Sequence, residues 1–201
     1  PANWSDSTIP GAGDTADLSA ATGTVDVAEN IAVGAILYNP AFSGTTNTLT
    51  LLSDTAALGS RSITLTTAAP SQIQIGEGAQ LLFDADLIPT VDVVKDGRGS
   101  LVIKRRLASA YEVSLAVVQG SVVNEGSIEY PVTDTLVGTL ASDTGPAAAF
   151  VMRAGSTYVG GNATDVIFGN ASGARAVIAH EGGTINLTQT SSSEPFLNGF
   201  V

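Results

Sequence analysis

Short apolar runs headed by glycine recur along much of this chain at intervals of roughly twenty residues. The glycines concerned are Gly78, Gly99, Gly120, Gly138, Gly155 and Gly182. A coil of parallel strands has such a period, because each turn holds a few short strands joined by tight corners. The recurrence therefore predicts a parallel β-solenoid.

The runs themselves have the pattern of strands. Stretches such as "TNTLTLL", "RSITLTT" and "GTINLT" alternate apolar and polar residues, favour β-branched side chains and end at Gly, Asn, Asp or Pro. We count at least ten, which predicts an all-β protein. A β-sandwich also spaces its strands roughly 8–12 residues apart and stays open as the alternative fold.

Length and composition favour a single domain. With 201 residues, of which 44% are hydrophobic, the chain can build one substantial core. If each turn takes about 20–25 residues and adds about 4.8 Å, the solenoid has roughly eight or nine rungs and is about 40 Å long.

Three segments are predicted from composition along the chain. Residues 1–23 are rich in Pro, Gly, Ser and Thr and read as an N-terminal arm or cap around Trp4. Residues 24–190 form the solenoid body. Residues 191–201 form a C-terminal tail whose apolar side chains, Phe196, Leu197 and Phe200, need a groove in this body or in a neighbour.

The charge balance excludes some partners. Nineteen acidic against eight basic residues give a net charge of -11, so phosphate-bearing partners such as nucleic acids or anionic membranes are repelled. No run approaches the roughly 18 apolar residues of a membrane-spanning helix, and we expect no membrane insertion. The absence of cysteine removes disulfide and thiolate chemistry, but it is compatible with export in a chain of this length.

Two stretches resemble a known repeat. They are "KDGRGSLVI" (95–103) with Tyr111, and "LAVVQGSV" (115–122), and together they are similar to the autotransporter-associated β-strand repeat of bacterial surface proteins. The segment 3–18 is similar to the one that opens many such proteins. The resemblance implies a right-handed parallel β-solenoid, exported across the cell envelope and used for adhesion, matrix or surface structure.

Basic residues are concentrated in the first repeat-like stretch and directly after it, where Lys95, Arg98, Lys104, Arg105 and Arg106 supply five of the eight positive charges. One interpretation is a solvated corner or a charged edge that resists strand pairing. The other is a patch for an anionic partner, and the first thirty residues of a second copy fit, because they are acidic without any positive charge. Such polarity suits head-to-tail contact, which builds open filaments.

The second interpretation predicts an assembly interface. Its residues are Trp4, Asp14, Asp17, Lys104, Arg105, Arg106, Phe196, Leu197 and Phe200.

Two apparent motifs for chemistry are weak. Residues 11–16, "GAGDTA", satisfy the glycine pattern of dinucleotide-binding loops, but a proline precedes them and no strand-turn-helix context surrounds them, so we expect no cofactor. His180 is the single histidine, with Glu181 beside it. No G-x-S-x-G elbow accompanies it, so nucleophilic catalysis is not predicted.

Carboxylates at Asp84, Asp86, Asp92 and Asp96, close in sequence to Lys95, keep an enzymatic alternative open. A calcium site, or the acid and base of a polysaccharide lyase or hydrolase, needs such groups, and hydrolysis needs two carboxylates about 5–9.5 Å apart in a cleft. The nonapeptides of calcium-binding β-rolls are absent, and aromatic residues, which glycan enzymes expose along a groove, make up only 5% of the chain.

The sequence thus predicts a secreted, non-catalytic structural protein of the bacterial cell surface, without metal or cofactor, whose partner is other copies of itself, with surface polysaccharide as a further partner. The alternatives are a carbohydrate-active β-helix and a monomeric glycan-binding adhesin. The N-x-[ST] sequons at Asn3, Asn162, Asn170 and Asn186 are either glycan acceptors or turn residues.

Overall fold

A computed structural model of the chain describes residues 9–53, 61–67, 71–129, 132–137, 148–160, 165–168 and 175–187. These residues form twenty-one β-strands and no helix. Accordingly, no helix among them is long and apolar enough to cross a membrane.

The strands follow one another in sets of three, and each set makes one rung. Rungs 1 to 3 consist of β1 (Thr15–Asp17), β2 (Gly23–Asp26) and β3 (Ile31–Val33); β4 (Ala35–Tyr38), β5 (Asn47–Leu52) and β6 (Ser62–Leu65); and β7 (Ser71–Ile75), β8 (Ala79–Asp84) and β9 (Asp86–Pro89). Rungs 4 and 5 consist of β10 (Val93–Asp96), β11 (Ser100–Ile103) and β12 (Arg106–Ala108), and of β13 (Val113–Val117), β14 (Ser121–Asn124) and β15 (Ser127–Glu129). Rungs 6 and 7 consist of β16 (Val132–Val137), β17 (Ala148–Met152) and β18 (Thr157–Gly160), and of β19 (Asp165–Phe168), β20 (Ala176–His180) and β21 (Thr184–Leu187).

Equivalent strands of successive rungs pair into three sheets of seven strands. Sheet A begins with β1, sheet B with β2 and sheet C with β3, and each takes every third strand. All pairings are parallel. The prediction of a parallel β-solenoid is confirmed, and the β-sandwich, which is built from antiparallel sheets, is excluded.

The described residues contain seven rungs, fewer than the eight or nine expected from a uniform turn length. Most turns need about twenty residues, but the connections from Leu52 to Ser62 and from Val137 to Ala148 lengthen rungs 2 and 6. These long connections consume chain without adding height, which accounts for the lower number of rungs in the described part of the chain.

The core consists of inward-facing columns that run along the stack. In sheet B one column contains Leu49, Leu81, Leu101, Val122 and Phe150, all buried. Alternate residues of each strand face inward, and the inward residues at equivalent positions of successive rungs stack into a column. Each buried leucine in such a column contributes about 1.5–3 kcal/mol of transfer free energy.

The recurring glycines belong to two different corners. Gly78, Gly99 and Gly120 immediately precede β8, β11 and β14 at the corner between sheets A and B. Gly155 and Gly182 lie at the corner between sheets B and C, and Gly138 lies outside the described residues. The period seen in the sequence thus combines two corners of one coil.

The paired structure begins inside the segment that composition assigned to an arm. Thr15–Asp17 pairs with Ala35–Leu37, and Leu18 is buried against the core. The first rung therefore starts before residue 24.

Candidate assembly interface

The first rung ends in an apolar hollow, which we call the N-terminal opening. It is a cavity of about 660 Å³ whose floor includes Val33, Ile36, Leu51 and Ile63. Its margin carries three acidic side chains, Asp17, Asp26 and Glu29. The opening lies at the first-rung end of the core: its floor is buried, Val25 and Ile31 are half-buried and Gly23 is exposed.

The hollow exists because the first rung places small residues where later rungs place large ones. In sheet A, Ala16 occupies the column of Ile36. In sheet B, Gly23 occupies the column of Leu49, and Val25 that of Leu51. The inner volume that leucine or isoleucine fills in rung 2 is therefore partly empty in rung 1.

The last rung, which we call the C-terminal face, presents large inward-facing residues. Ile178 continues the column of Phe150, and Ile185 continues that of Tyr158. Phe150 and Tyr158 are buried and pack edge to face, whereas Ile178 and Ile185 are 38% and 47% exposed. The exposed fractions of these isoleucines are high because no described rung lies beyond them.

Asp14 and Asp17 of the predicted interface lie in and beside the first rung. The Asp14 Oδ2 accepts a hydrogen bond from the Gly11 amide, and the Asp14 carbonyl accepts bonds from the amides of Gly34 and Ala35. Both carboxylates are exposed. Hydrogen bonds from the side chain and backbone of Ser19 lower the pKa of Asp17, so this carboxyl stays charged at neutral pH.

The basic cluster of Lys104, Arg105 and Arg106 lies on the side of the solenoid, in rung 4, three rungs from either end. The Arg105 Nε lies 3.7 Å from the Asp86 Oδ1, and the Arg106 Nε donates to the Glu129 Oε2 at 2.8 Å. The structure does not bring this cluster to the N-terminal opening of the same chain. Its role in assembly stays a prediction, and it would require the side of one copy to contact the acidic N-terminal end of another.

Lys95, which the sequence groups with those basic residues, is fully buried in the core. Its Nζ donates to the carbonyl oxygens of Gly97, Gly99 and Gln119 at 2.5, 2.6 and 2.8 Å. Burial lowers the pKa of Lys95 to about 7, an effect that the nearby carboxylate of Asp96 opposes. This lysine is a structural element of the corner between sheets A and B and faces no solvent.

A signal for the burial of Lys95 is present in the sequence. Lys95 stands two residues after Val93, so alternation places both on the same, inward face of β10. The neighbouring glycines leave several main-chain carbonyls close together at the next corner. Sequence reasoning missed this because a lysine is seldom fully buried.

The four aspartates that kept an enzymatic alternative open lie at three different corners. Asp84 and Asp86 flank Ala85 between sheets B and C, Asp92 follows β9 between sheets C and A, and Asp96 ends β10 between sheets A and B. The Asp92 Oδ1 accepts the Ser114 amide at 2.8 Å. Among the described residues there is no group of three or more His, Cys, Asp or Glu side chains arranged to hold a metal ion.

The remaining motifs have simple structural places. Of residues 11–16, the first four form a turn closed by the bond from the Asp14 amide to the Gly11 carbonyl, and the last two already belong to β1. His180 ends β20 in the inward column above Met152 and is exposed at the C-terminal face. Glu181 forms an ion pair with Arg153.

Several residues singled out in the sequence lie outside the described residues: Trp4, Phe196, Leu197, Phe200, Asn3, Asn162 and Asn170. Asn186, the remaining sequon asparagine, is exposed in β21. The interface residues Trp4, Phe196, Leu197 and Phe200 stay predictions.

No protein-family model, curated protein or solved structure matches this chain. The resemblance to the autotransporter-associated repeat therefore remains an interpretation of the residues that carry it.

Proposed function

We propose that this chain is a non-catalytic structural protein that self-associates end to end into an extracellular fibre or surface layer of a bacterium. The observation that carries the proposal is the exposure of inward-facing apolar residues at the C-terminal face, Ile178 and Ile185. Burial of these side chains against a further rung would give the free energy of association.

Backbone pairing supports the same function. Each terminal strand of sheets A, B and C is paired on one side only within the described solenoid, so its outer edge offers unpaired amides and carbonyls. An added strand satisfies those groups by hydrogen bonding. Three such edges at each end favour association through the ends of the stack.

The extracellular setting is supported by composition and by the resemblance to a surface repeat. Only 13% of the residues are charged, and the chain is strongly acidic and free of cysteine. An acidic protein of this kind stays apart from nucleic acids and anionic lipids. Copies of the same chain are its partners, and a surface polysaccharide is a further partner in a layer.

The experiment is a concentration series of the purified protein by sedimentation velocity and negative-stain electron microscopy, with the double variant Ile178→Asp, Ile185→Asp beside the wild type. The wild type is expected to form particles that lengthen with concentration. The double variant is expected to stay monomeric, since two buried carboxylates in the contact have no partner.

Val177→Asp is the matched control. Val177 lies in the same strand as Ile178 and is 49% exposed, but it belongs to the outward-facing column of Ala149. It adds charge to the C-terminal end without entering the core column, and should assemble like the wild type. A wild type that is monomeric at all concentrations would refute the proposal, and equal loss in both variants would show that the inward columns are not the contact.

A glycan-binding module is the second candidate, and the exposed ring of Tyr111 favours it. Tyr111 is 59% exposed at the corner between sheets C and A, where a sugar could stack on it. The separation of the aspartates over three corners favours binding over cleavage. Affinity electrophoresis in gels that contain a bacterial surface polysaccharide tests this: retardation that Tyr111→Ala abolishes would support it, and equal migration with and without polysaccharide would reject it.

A further inference from the structure

The two ends of the solenoid differ in shape, most clearly in the inward column that begins at Gly23. At the N-terminal opening the columns end in small residues, Ala16 and Gly23. At the C-terminal face the column of Gly23 ends in Ile178, after Leu49 and the residues that follow it. The first rung is hollow where the last rung is filled.

Two other inward columns differ less in residue size between the two ends. The sheet B column that begins at Val25 ends at His180, and the sheet C column that begins at Ile31 ends at Ile185. A copy stacked with its C-terminal face against the N-terminal opening would set Ile178 over Gly23. The cavity of about 660 Å³ is the space that such a side chain enters.

Charge gives the contact a direction. Residues 9–53 carry the acidic side chains Asp14, Asp17, Asp26 and Glu29 and no lysine or arginine. In the described residues from 148 onwards, Arg153 and Arg175 balance Asp165 and Glu181. Two N-terminal openings therefore repel each other, whereas an opening and a C-terminal face do not.

Strand direction gives the same polarity. Every sheet is parallel, so a second copy continues all three ladders only when its strands run in the same direction as those of the first. Head-to-tail stacking satisfies this requirement, and it leaves one opening and one face free for the next copy.

We infer that the N-terminal opening binds the C-terminal face of a second copy in continuous register, so that the columns of Gly23, Val25 and Ile31 continue those of Ile178, His180 and Ile185. This inference rests on the proposed function and adds to it the partner surface, the direction and the register. The contact behaves as an eighth rung, supplied by the neighbouring copy.

Disulfide trapping tests the register, because the chain has no cysteine of its own. Thr24 and Ala179 are the two ends of one outward-facing column in sheet B. Neighbouring parallel strands are about 4.8 Å apart, which suits a disulfide. A mixture of the single variants Thr24→Cys and Ala179→Cys should give, on mild oxidation, a mixed disulfide dimer that either variant alone does not form by this pairing.

The matched control replaces Thr24→Cys by Thr50→Cys, which lies one rung further inside the same column. Its cysteine is about two strand spacings from position 179 of the neighbour and should not crosslink. If the wild type assembles but the Thr24 and Ala179 variants give no mixed disulfide, the register is wrong and end-to-end association stands. If the Thr50 control crosslinks equally well, the contact has no defined register. If neither assembly nor crosslinking occurs, both proposals fail.

Discussion

The ammonium group of Lys95 does for one corner of the solenoid what backbone amides do elsewhere, because it donates to main-chain carbonyls of two successive rungs. Gly97 and Gly99 belong to the corner that follows β10, and Gln119 to the corner one rung later. Three donors meet three acceptors, which suits the geometry of an ammonium group. A single side chain thus ties two turns of the coil together from the inside.

Replacing Lys95 by methionine should destabilise the protein strongly. The substitution leaves one buried and two part-buried carbonyls without this donor, and an unsatisfied buried polar group costs about 1–3 kcal/mol. We expect the free energy of unfolding in urea to fall by about 2–5 kcal/mol, measured by circular dichroism. Lys104→Met, on the exposed side of the same rung, should change it by less than about 0.5 kcal/mol. Equal effects would show that the carbonyl contacts contribute nothing.

The depressed pKa of Lys95 should make stability depend on pH. Because its pKa is about 7 in the folded protein and near 10.5 in the unfolded chain, the unfolded state binds more protons between these values. The free energy of unfolding should therefore rise between pH of about 7 and about 9, by at most about 1.4 kcal/mol per pH unit. Urea unfolding at several pH values measures this rise, which Lys95→Met should lack. A wild-type curve that is flat or falling contradicts the expectation.

Gly97 should be intolerant of any side chain. Its φ is 77°, and a Cβ atom there would overlap the Ile75 carbonyl of the rung below. Gly44 has a φ of 88° but no neighbouring atom within 4 Å of such a Cβ. Gly44→Ala should cost about 1–2 kcal/mol for the left-handed backbone alone, and Gly97→Ala about 1–3 kcal/mol more for the overlap. Thermal unfolding of both variants checks this order, and equal losses would exclude the crowding.

Within single strands, the position of a residue along its column decides what the residue contributes. Leu101 in β11 and Ile178 in β20 occupy the same inward column of sheet B, but Leu101 is fully buried and Ile178 is 38% exposed. Both side chains face inward from their strands. Leu101 has a described rung on each side of it, whereas Ile178 has one on one side only.

Alanine substitutions at these two positions should therefore separate folding from assembly. Leu101→Ala should lower the free energy of unfolding by about 2–5 kcal/mol, since it leaves a cavity between two rungs. Ile178→Ala should lower that of the monomer by less than about 1.5 kcal/mol and should reduce end-to-end association. Dilute-solution unfolding and sedimentation at high concentration give the two readings. An Ile178→Ala loss as large as that of Leu101→Ala would place Ile178 in a closed core.

The strands and their parallel stacking could be predicted because alternation and recurring glycines are local signals of a coil. The corner to which each glycine belongs could not be predicted, because the same spacing covers two corners. Gly99 and Gly155 look alike in sequence, but they lie at different corners of the coil. The aspartates at 84, 92 and 96 appeared as one cluster for the same reason. Residues close along a tight coil are carried to separate corners within a single turn.

At the scale of the whole molecule, the protein is a short prism of three sheets with unlike ends and a net charge of -11. In the proposed assembly, the apolar contact at the ends would favour association, while the charge on each copy would oppose it. The predicted assembly residues divide accordingly: Asp14 and Asp17 lie at the acidic end, and the basic cluster lies halfway along the side. No sequence period could give that placement, because it depends on the number of rungs before residue 104.

Salt should therefore promote assembly of the wild type. Raising the ionic strength from about 0.02 M to about 0.15 M shortens the Debye length to about 8 Å and screens the repulsion between copies. Sedimentation or light scattering should show a larger assembled fraction at the higher ionic strength. Assembly that weakens with salt would instead indicate contacts between opposite charges, and would support a role for Lys104, Arg105 and Arg106 in the contact.

Inner rungs have two neighbouring rungs and terminal rungs have one, and this difference has a further consequence for the growth of the proposed fibre. Counting only the seven described rungs, a free copy has two terminal rungs in seven, whereas a joined pair would have two in fourteen, so each addition would lower the proportion of rungs with one neighbour. Amide protons of β1 to β3 and of β19 to β21 should exchange quickly in a single copy and slowly inside a fibre. Each copy that joins the fibre would then have its terminal rungs stabilised by a neighbour. Resistance to proteolysis would therefore increase with fibre length.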